Sequence, residues 1–187
     1  MTPSSADDEE LAALPGAIWG ELTKAVQDRS HGWRTPVLAT VDGEAADART
    51  VVLRELDAET GSLVIFTDAR SHKAHQLKRH PRGSLVMWSA ELGWQLRCRV
   101  SLSLAEDGLA VSSRWSRLRL SAAAQDYLSP LAPGTPLDPS LKPGGLAPRE
   151  AFAVITAVIE HIDWLELHPQ GHRRAEFTAT GARWLQP

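Results

Sequence analysis

The apolar and polar positions alternate or cluster in short runs, and these runs predict the elements. Val37-Leu-Ala-Thr-Val41, Arg49-Thr-Val-Val-Leu-Arg54 and Ser62-Leu-Val-Ile-Phe-Thr67 are β-branched and apolar, with turn signals at Asp42-Gly43 and Thr60-Gly61 between them. They predict strands over 36–42, 48–56 and 62–68. Before them, Ile18, Leu22, Ala25 and Val26 recur at helical spacing. They predict a helix from Pro15 to Asp28, with proline suited to the first turn. Residues 1–10 read as a frayed tail. Ser71 is a good N-cap for a helix from His72 to His80, which Pro81 ends. Strands resume at 84–90 and at 94–105, where polar positions alternate. A further helix is expected from Val111 to Leu128. The 129–149 segment holds Pro130, Pro133, Pro136, Pro139, Pro143 and Pro148 and reads as an ordered loop or lid. The last strands are expected at 151–160, 162–168 and 174–180. No internal repeat is visible. Many short strands at hairpin spacing with few helices predict a mainly β fold, a closed barrel with helical excursions, in one domain over 1–187.

Composition narrows what such a barrel does. A chain of 187 residues, 43% of them hydrophobic, suits one domain with a full-sized core. A net charge of −3 gives no global attraction to nucleic acid or anionic membrane. No run approaches the roughly eighteen apolar residues of a membrane span. Met1 to Glu10 is polar and acidic, unlike a secretory signal, so a cytoplasmic protein is expected. One cysteine, Cys98, excludes an internal disulfide framework and a Cys-based zinc site. Arg97 and Arg99 beside it would lower its pKa, whereas a barrel-strand position predicts a buried, inert thiol. Seven tryptophans against one tyrosine is unusual, and each buried indole N–H needs an acceptor or a planar partner.

The basic residues carry the candidate chemistry. Arg49 and Arg54 bracket one strand and, five apart, project to opposite faces, so they serve two roles. Lys73 sits in the first turn of a helix capped by Ser71, where free N–H groups and the dipole already favour an anion. Ser71, Lys73 and the helix start make a phosphate site; with Lys78, Arg79 and Arg82 nearby, they also fit a solvated basic helix. Gln95, between Trp94 and Arg97, has an amide that reads a mixed donor–acceptor edge such as that of a flavin, or stands as an outward polar position. Trp164, His172 and Arg174 form a third cluster. A tryptophan supplies a flat wall, and an arginine stabilises charge that develops on a reduced flavin; a core tryptophan and a surface arginine fit as well. His72, His75 and His80 lack a nearby carboxylate or cysteine and read as surface residues rather than metal ligands. Ser112, Ser113, Arg114, Arg117 and Arg119 form a basic, hydroxyl-rich helix that fits either an anionic substrate or a solvated face.

Taken together, these motifs resemble the pyridoxamine 5′-phosphate oxidase family of FMN-binding split barrels. The likeness runs from about residue 34 to the end. It is strongest in Arg49 to Arg54, Phe66-Thr67, Ser71-His-Lys-Ala74, His80-Pro81, Gln95-Leu-Arg97, Trp164 with His172-Arg-Arg174, and Arg183-Trp-Leu-Gln-Pro187. The resemblance implies that Arg49 and Lys73, with Ser71 and His72, bind the FMN phosphate. It implies that the backbone of Thr50, Val51, Val52, Leu53 and Arg54 runs along the flavin, that Phe66 and Thr67 line it, and that Gln95, Trp164 and Arg174 contact its ring. It further implies a homodimer in which two subunits build each FMN site, with Arg54, Trp115, Arg119 and His172 on the substrate side. Departures bear on the reaction. The family pattern has an arginine at His72. The oxidase itself holds its substrate phosphate with a lysine at the place of Arg54, and with a tyrosine, an arginine and a serine where this chain has Trp115, Arg119 and Ala123. An arginine near its C-terminus is replaced by Gln170. The expectation is an FMN-dependent oxidoreductase that takes a hydride from a small substrate other than pyridoxine 5′-phosphate. A true pyridoxine/pyridoxamine 5′-phosphate oxidase and a flavin-binding protein without turnover are the alternatives.

Overall fold

A computed structural model of the protein describes residues 5–121, 124, 127, 129–137 and 151–187. Helix α1 spans Ser5–Gln27 and is followed by a 3-10 turn, Gly32–Arg34. The strands are β1 Val37–Asp42, β2 Ala45–Thr50, β3 Leu53–Asp57, β4 Ser62–Asp68, β5 Arg82–Ser89, β6 Trp94–Ala105, β7 Phe152–Glu166, β8 Arg173–Thr178 and β9 Gly181–Leu185. Helix α2, His72–Arg79, lies between β4 and β5, and α3, Leu109–Leu118, follows β6. The mainly β architecture expected from the alternation is what forms.

All strand pairs are antiparallel, in the order β2-β1-β5-β6-β7-β4-β3, with β8 on β7 and β9 on β8. The sheet forks at β7. One edge of that strand pairs with β6 along its length. The other edge takes β4 over 152–158 and β8 over 161–166. The two ends of the path, β2 and β3, are joined directly through Val51 and Val52, so the chain itself bridges the open side of the barrel. Leu14, Ile18, Leu22 and Ala25 of α1 fill the interior together with Leu38, Leu53, Ile65, Leu85, Met87 and Leu96. A second cluster gathers Val64, Val111, Leu118, Phe152 and Val154 beneath α3, with Phe66, Trp115 and Tyr127 packed against it.

Several boundaries differ from the sequence reading. Helix α1 begins at Ser5 rather than Pro15, so residues 5–10 are not a frayed tail. Leu11 and Leu14 extend the buried stripe backwards, Asp7 and Asp8 suit the positive end of the dipole, and Glu10 pairs with Arg173 at 2.5 Å. The strand expected over 48–56 divides into β2 and β3, because the chain leaves β1 and crosses to β4. The strands expected at 151–160 and 162–168 are one, β7. Arg99 faces His161 while Val100 faces Ile159, so Glu160 is a bulged residue. It shifts the phase of alternation, which reads as a strand break in the sequence. Strand β9 is five residues long and exposed over its first three, so it shows no alternation of buried and exposed positions. Helix α3 ends at Leu118 rather than Leu128. Of the Pro-rich segment, residues 129–137 lack regular structure and are held by Arg70, which donates to the carbonyls of Pro130 at 2.9 Å, Ser129 at 3.2 Å and Leu131 at 3.4 Å. Residues 138–149 lie outside the described residues. No helix among the described residues is long and apolar enough to cross a membrane.

Candidate functional site

The first group of site residues gathers where β2, β4 and α2 meet. Ser71 caps α2, its Oγ accepting from the Ala74 N–H at 3.4 Å and lying 3.3 Å from the Thr67 hydroxyl. Both hydroxyl residues are buried. Two residues on, Lys73 is half-buried. Burial pushes its ammonium pKa down, the Arg49 charge pushes it further, and Asp68 only partly opposes them. Arg49 is fixed by donating to Thr40 Oγ1 at 2.5 Å, Gln76 Oε1 at 2.9 Å and Leu38 O at 3.3 Å, and by an ion pair with Asp47. Gln76 is the buried hub of this network. It accepts from the Thr40 hydroxyl at 2.6 Å and donates to Asp47 Oδ2 at 2.8 Å. Two cations of like charge are thus held together beside a helix start with hydroxyl donors. That arrangement costs electrostatic energy by itself and suits an anion such as a phosphate monoester. His72 is exposed. With Asp42, Arg70, His75, Gln76 and Arg79 it lines a cleft of about 450 Å³.

The connecting stretch 50–54 offers backbone rather than side chains. Val51 and Leu53 are buried in the core, and the Val51 N–H donates to Pro36 O at 2.9 Å. Phe66 rests edge-on against Phe152, with ring centres 5.2 Å apart. Arg54 sits at a register shift in β3, where a bulge re-aims a side chain. Its guanidinium lies 5.9 Å from the Phe66 ring centre and 6.0 Å from that of Tyr127, and Nη2 donates to the Tyr127 hydroxyl at 3.3 Å.

Arg54, Arg34, Arg114, Arg117 and Glu55 line a pocket of about 260 Å³. Glu55 accepts from Arg114 at 2.7 and 2.9 Å, and Arg117 lies 3.5 Å away. The other expected substrate residues are not brought here within one subunit. Trp115 packs on Phe152 at 5.3 Å in the second core, Arg119 is exposed at the end of α3, and His172 is exposed in the β7–β8 turn. Ala123 lies outside the described residues.

A second group lies on the outer face of the β5–β8 sheet. Trp88, Gln95, Leu165 and Arg174 face one another across four strands and so share one side. Trp164 does not share it. Successive strand residues alternate, so Trp164 turns inward, fully buried, with its ring centre 5.2 Å from Trp94 and 6.3 Å from Trp184. Within one subunit, then, Trp164 does not share the face of Gln95 and Arg174, and Leu165 is the residue beside them. In the next row Asp163, buried, accepts from Arg174 and Arg97. Burial pushes its carboxyl up, but the hydrogen bonds and charges of the two arginines outweigh that and hold it below the usual aspartate value. Cys98 is buried on the core side, and burial pushes its thiol up to about 12, the inert of the two readings. Among the described residues no cluster of His, Cys, Asp or Glu is arranged to hold a metal.

The sequence reading missed Gln76, Thr40, Tyr127, Asp163 and Leu165. Gln76 alone carried a signal: a polar residue between Ala74 and Leu77, on the face that α2 buries.

A forked antiparallel barrel carries a cationic, hydroxyl-lined cluster at a helix start, which suits a phosphorylated ligand. The chain belongs to the pyridoxamine 5′-phosphate oxidase family. Residues 17–105 match the model of that family's FMN-binding domain. The pyridoxine/pyridoxamine 5′-phosphate oxidase of Thermosynechococcus vestitus is 32% identical over 181 residues, which cover 89% of this chain and 82% of that protein. Among solved structures, a pyridoxamine 5′-phosphate oxidase-related, FMN-binding protein from Nostoc punctiforme superposes with a TM-score of 0.72 at 23% identity, covering 92% of this chain and 96% of that one. PhzG from Burkholderia lata, in complex with tetrahydrophenazine-1-carboxylic acid, superposes with a TM-score of 0.68 at 14% identity, covering 92% and 91%. These two likenesses are of fold. The cofactor of the matched domain is FMN, and the paired cations at Arg49 and Lys73 with the Ser71 hydroxyl fit its phosphate.

Proposed function

We propose that the protein is an FMN-dependent oxidoreductase, a homodimer in which each site joins the Arg49–Lys73 cluster of one subunit to the Gln95–Arg174 face of the other. Bound FMN supplies the hydride-accepting chemistry. Arg49, Ser71, His72 and Lys73 hold the phosphate, and the 50–54 backbone runs along the ring with Phe66 and Thr67. Gln95 reads a polar ring edge, and Arg174 stabilises the charge that reduction places there. The half-buried Lys73 beside Arg49 carries this reading, because a bound anion relieves the repulsion that Asp47 and Asp68 only partly offset. Two separate residue groups, one at α2 and one on the outer sheet face, support the shared site.

The substrate is small and, on this reading, is not pyridoxine 5′-phosphate. Oxidation of that compound is the second reading, favoured by the name of the Thermosynechococcus relative. Against it stand Trp115, which has no phenolic oxygen and is turned into the core, and Gln170, which carries no charge. Losing two charge-assisted contacts costs on the order of 3–4 kcal/mol at the transition state, several hundredfold in kcat/KM.

Purified protein should be yellow and yield FMN, not FAD, on extraction and chromatography. In an oxygen-electrode assay it should turn pyridoxine 5′-phosphate over several hundredfold more slowly than a genuine oxidase. Comparable turnover would promote the second reading. Failure of every electron donor in a broad screen, with FMN bound, would leave a flavin-binding protein without turnover.

A further inference from the structure

Asp163 stands between two arginines on the outer sheet face. Its Oδ1 accepts from Arg174 Nε at 3.0 Å and its Oδ2 from Arg174 Nη2 at 2.7 Å, a two-pronged pair. The same Oδ2 accepts from Arg97 Nη2. The register explains the arrangement. Arg97, Asp163 and Glu176 are direct neighbours across β6, β7 and β8, and Arg174 lies in the adjoining row beside Leu165 and Gln95. Glu176 is engaged elsewhere, by His161 at 3.2 Å and by Arg183 at 2.5 Å. Only 9% of the Asp163 side chain is exposed, against 47% of Arg97 and 30% of Arg174. The carboxylate therefore lies beneath the guanidiniums and is out of a ligand's reach. What a ligand on this face meets is the arginines, in the orientation and with the net charge that Asp163 leaves them. The Nε and Nη2 edge of Arg174 is committed to the acid, which leaves the Nη1 N–H groups for another acceptor.

We infer that Asp163 is a positioning residue for the redox site: it aims Arg174 at the FMN ring and offsets part of its charge, and so sets how strongly the protein favours reduced over oxidised FMN. The inference rests on the proposed reading that Gln95 and Arg174 face the ring. Reduction adds negative charge at the N1–C2=O end of a flavin. A preorganised cation there favours the reduced form, and a carboxylate in contact with that cation opposes it. Replacing Asp163 by asparagine removes the negative charge and keeps one acceptor oxygen for Arg174, so the ring meets more of the arginines' charge.

The test is the midpoint potential of bound FMN, measured by reductive titration against a reference dye. Asp163→Asn should favour the reduced form by about tenfold more than wild type, a rise of about 30 mV for a two-electron couple. Asp163→Glu should return the potential most of the way. Arg174→Gln should lower it, and Asp163→Asn added to Arg174→Gln should then shift it by clearly less than in the wild-type background, since only the acid's direct field remains. If Asp163→Asn does not fold, Arg97→Gln reads the same coupling. With one cation gone, Asp163 bears more strongly on Arg174, so the potential falls in the wild-type background and falls by less in Arg174→Gln. An unchanged potential in Asp163→Asn, or in Arg97→Gln where that is the variant that folds, overturns the inference alone, provided Arg174→Gln shifts it. An ineffective Arg174→Gln, or a wild-type chain that takes up no FMN, overturns the proposed site and this inference with it.

Discussion

Lys73 is held where its own charge is disfavoured, half out of water and next to Arg49. This separates two effects that a simple loss of function would merge. Lys73→Met removes the repulsion and keeps the aliphatic stem, so the cofactor-free protein should melt no lower than wild type. Its affinity for FMN should nonetheless fall by about 1.5–3 kcal/mol, roughly 10- to 150-fold in Kd. Arg49→Ala should cost the same affinity but also destabilise the apoprotein, because Thr40, Gln76 and Asp47 lose their shared donor. Thermal melts of apoprotein and fluorescence titration with FMN check both. A Lys73→Met protein with wild-type affinity would put the phosphate elsewhere. The basic residues at 49 and 73 were legible in the sequence because charge and helix capping are local features. Gln76 carried only its polar place on a buried helix face and Asp163 no signal, because what makes them matter includes partners far along the chain, as with Gln76 and Asp47, 29 residues apart, or Asp163 and Arg97, 66 apart.

Strand β7 shows what alternation reveals and conceals at the scale of an element. The apolar phase runs through Ile155 and Ala157, then slips at the Glu160 bulge to Ile162 and Trp164. Read without the bulge, the strand splits in two, and Trp164 is free to face a ligand. With it, Trp164 belongs to the core and Asp163 and Leu165 to the outer face. Two carboxylates of β7 also govern acid stability, Asp163 on the outer face and Glu166 on the opposite one, beside Trp94. Burial pushes the carboxyls of Asp163 and Glu166 up, but their hydrogen bonds from Arg174, Arg97, Trp94 and Arg173 outweigh it and hold both below their usual values. A carboxyl lowered in this way contributes stability that is complete above its unfolded pKa and is lost as pH falls through the folded one. Asp163→Asn should therefore cost about 1–2 kcal/mol at neutral pH, at the low end for a charged hydrogen bond because solvent screens the arginine side. The gap to wild type should close as pH drops below the carboxylate range. Chemical denaturation followed from pH 7 down to pH 3 checks this, and a gap that stays constant would mean the ion pair is not its origin.

At the scale of the whole molecule, the barrel class was legible because hairpin turns and strand lengths are written locally. The fork at β7 and the Val51–Val52 bridge were not, since they depend on which strand edges meet. The same topology separates the site residues: Arg49, Ser71 and Lys73 belong to β2 and α2, whereas Gln95 and Arg174 belong to β6 and β8. If one FMN touches both groups by lying between two subunits, complementation follows from twofold symmetry. In a mixed dimer of Lys73→Ala and Arg174→Gln subunits, one site carries both changes and the other carries neither. Random reassociation makes about half the dimers mixed, so about a quarter of all sites regain wild-type affinity, although neither parent has any. A site built within one subunit would regain none at any mixing ratio. The measurement is an FMN titration of the two variants, each alone and after joint denaturation and refolding, with sedimentation to verify the dimer. A high-affinity fraction near one quarter in the mixture, absent from both parents, is the expected result. Its absence in a mixture that does sediment as dimers would return the whole site to a single chain.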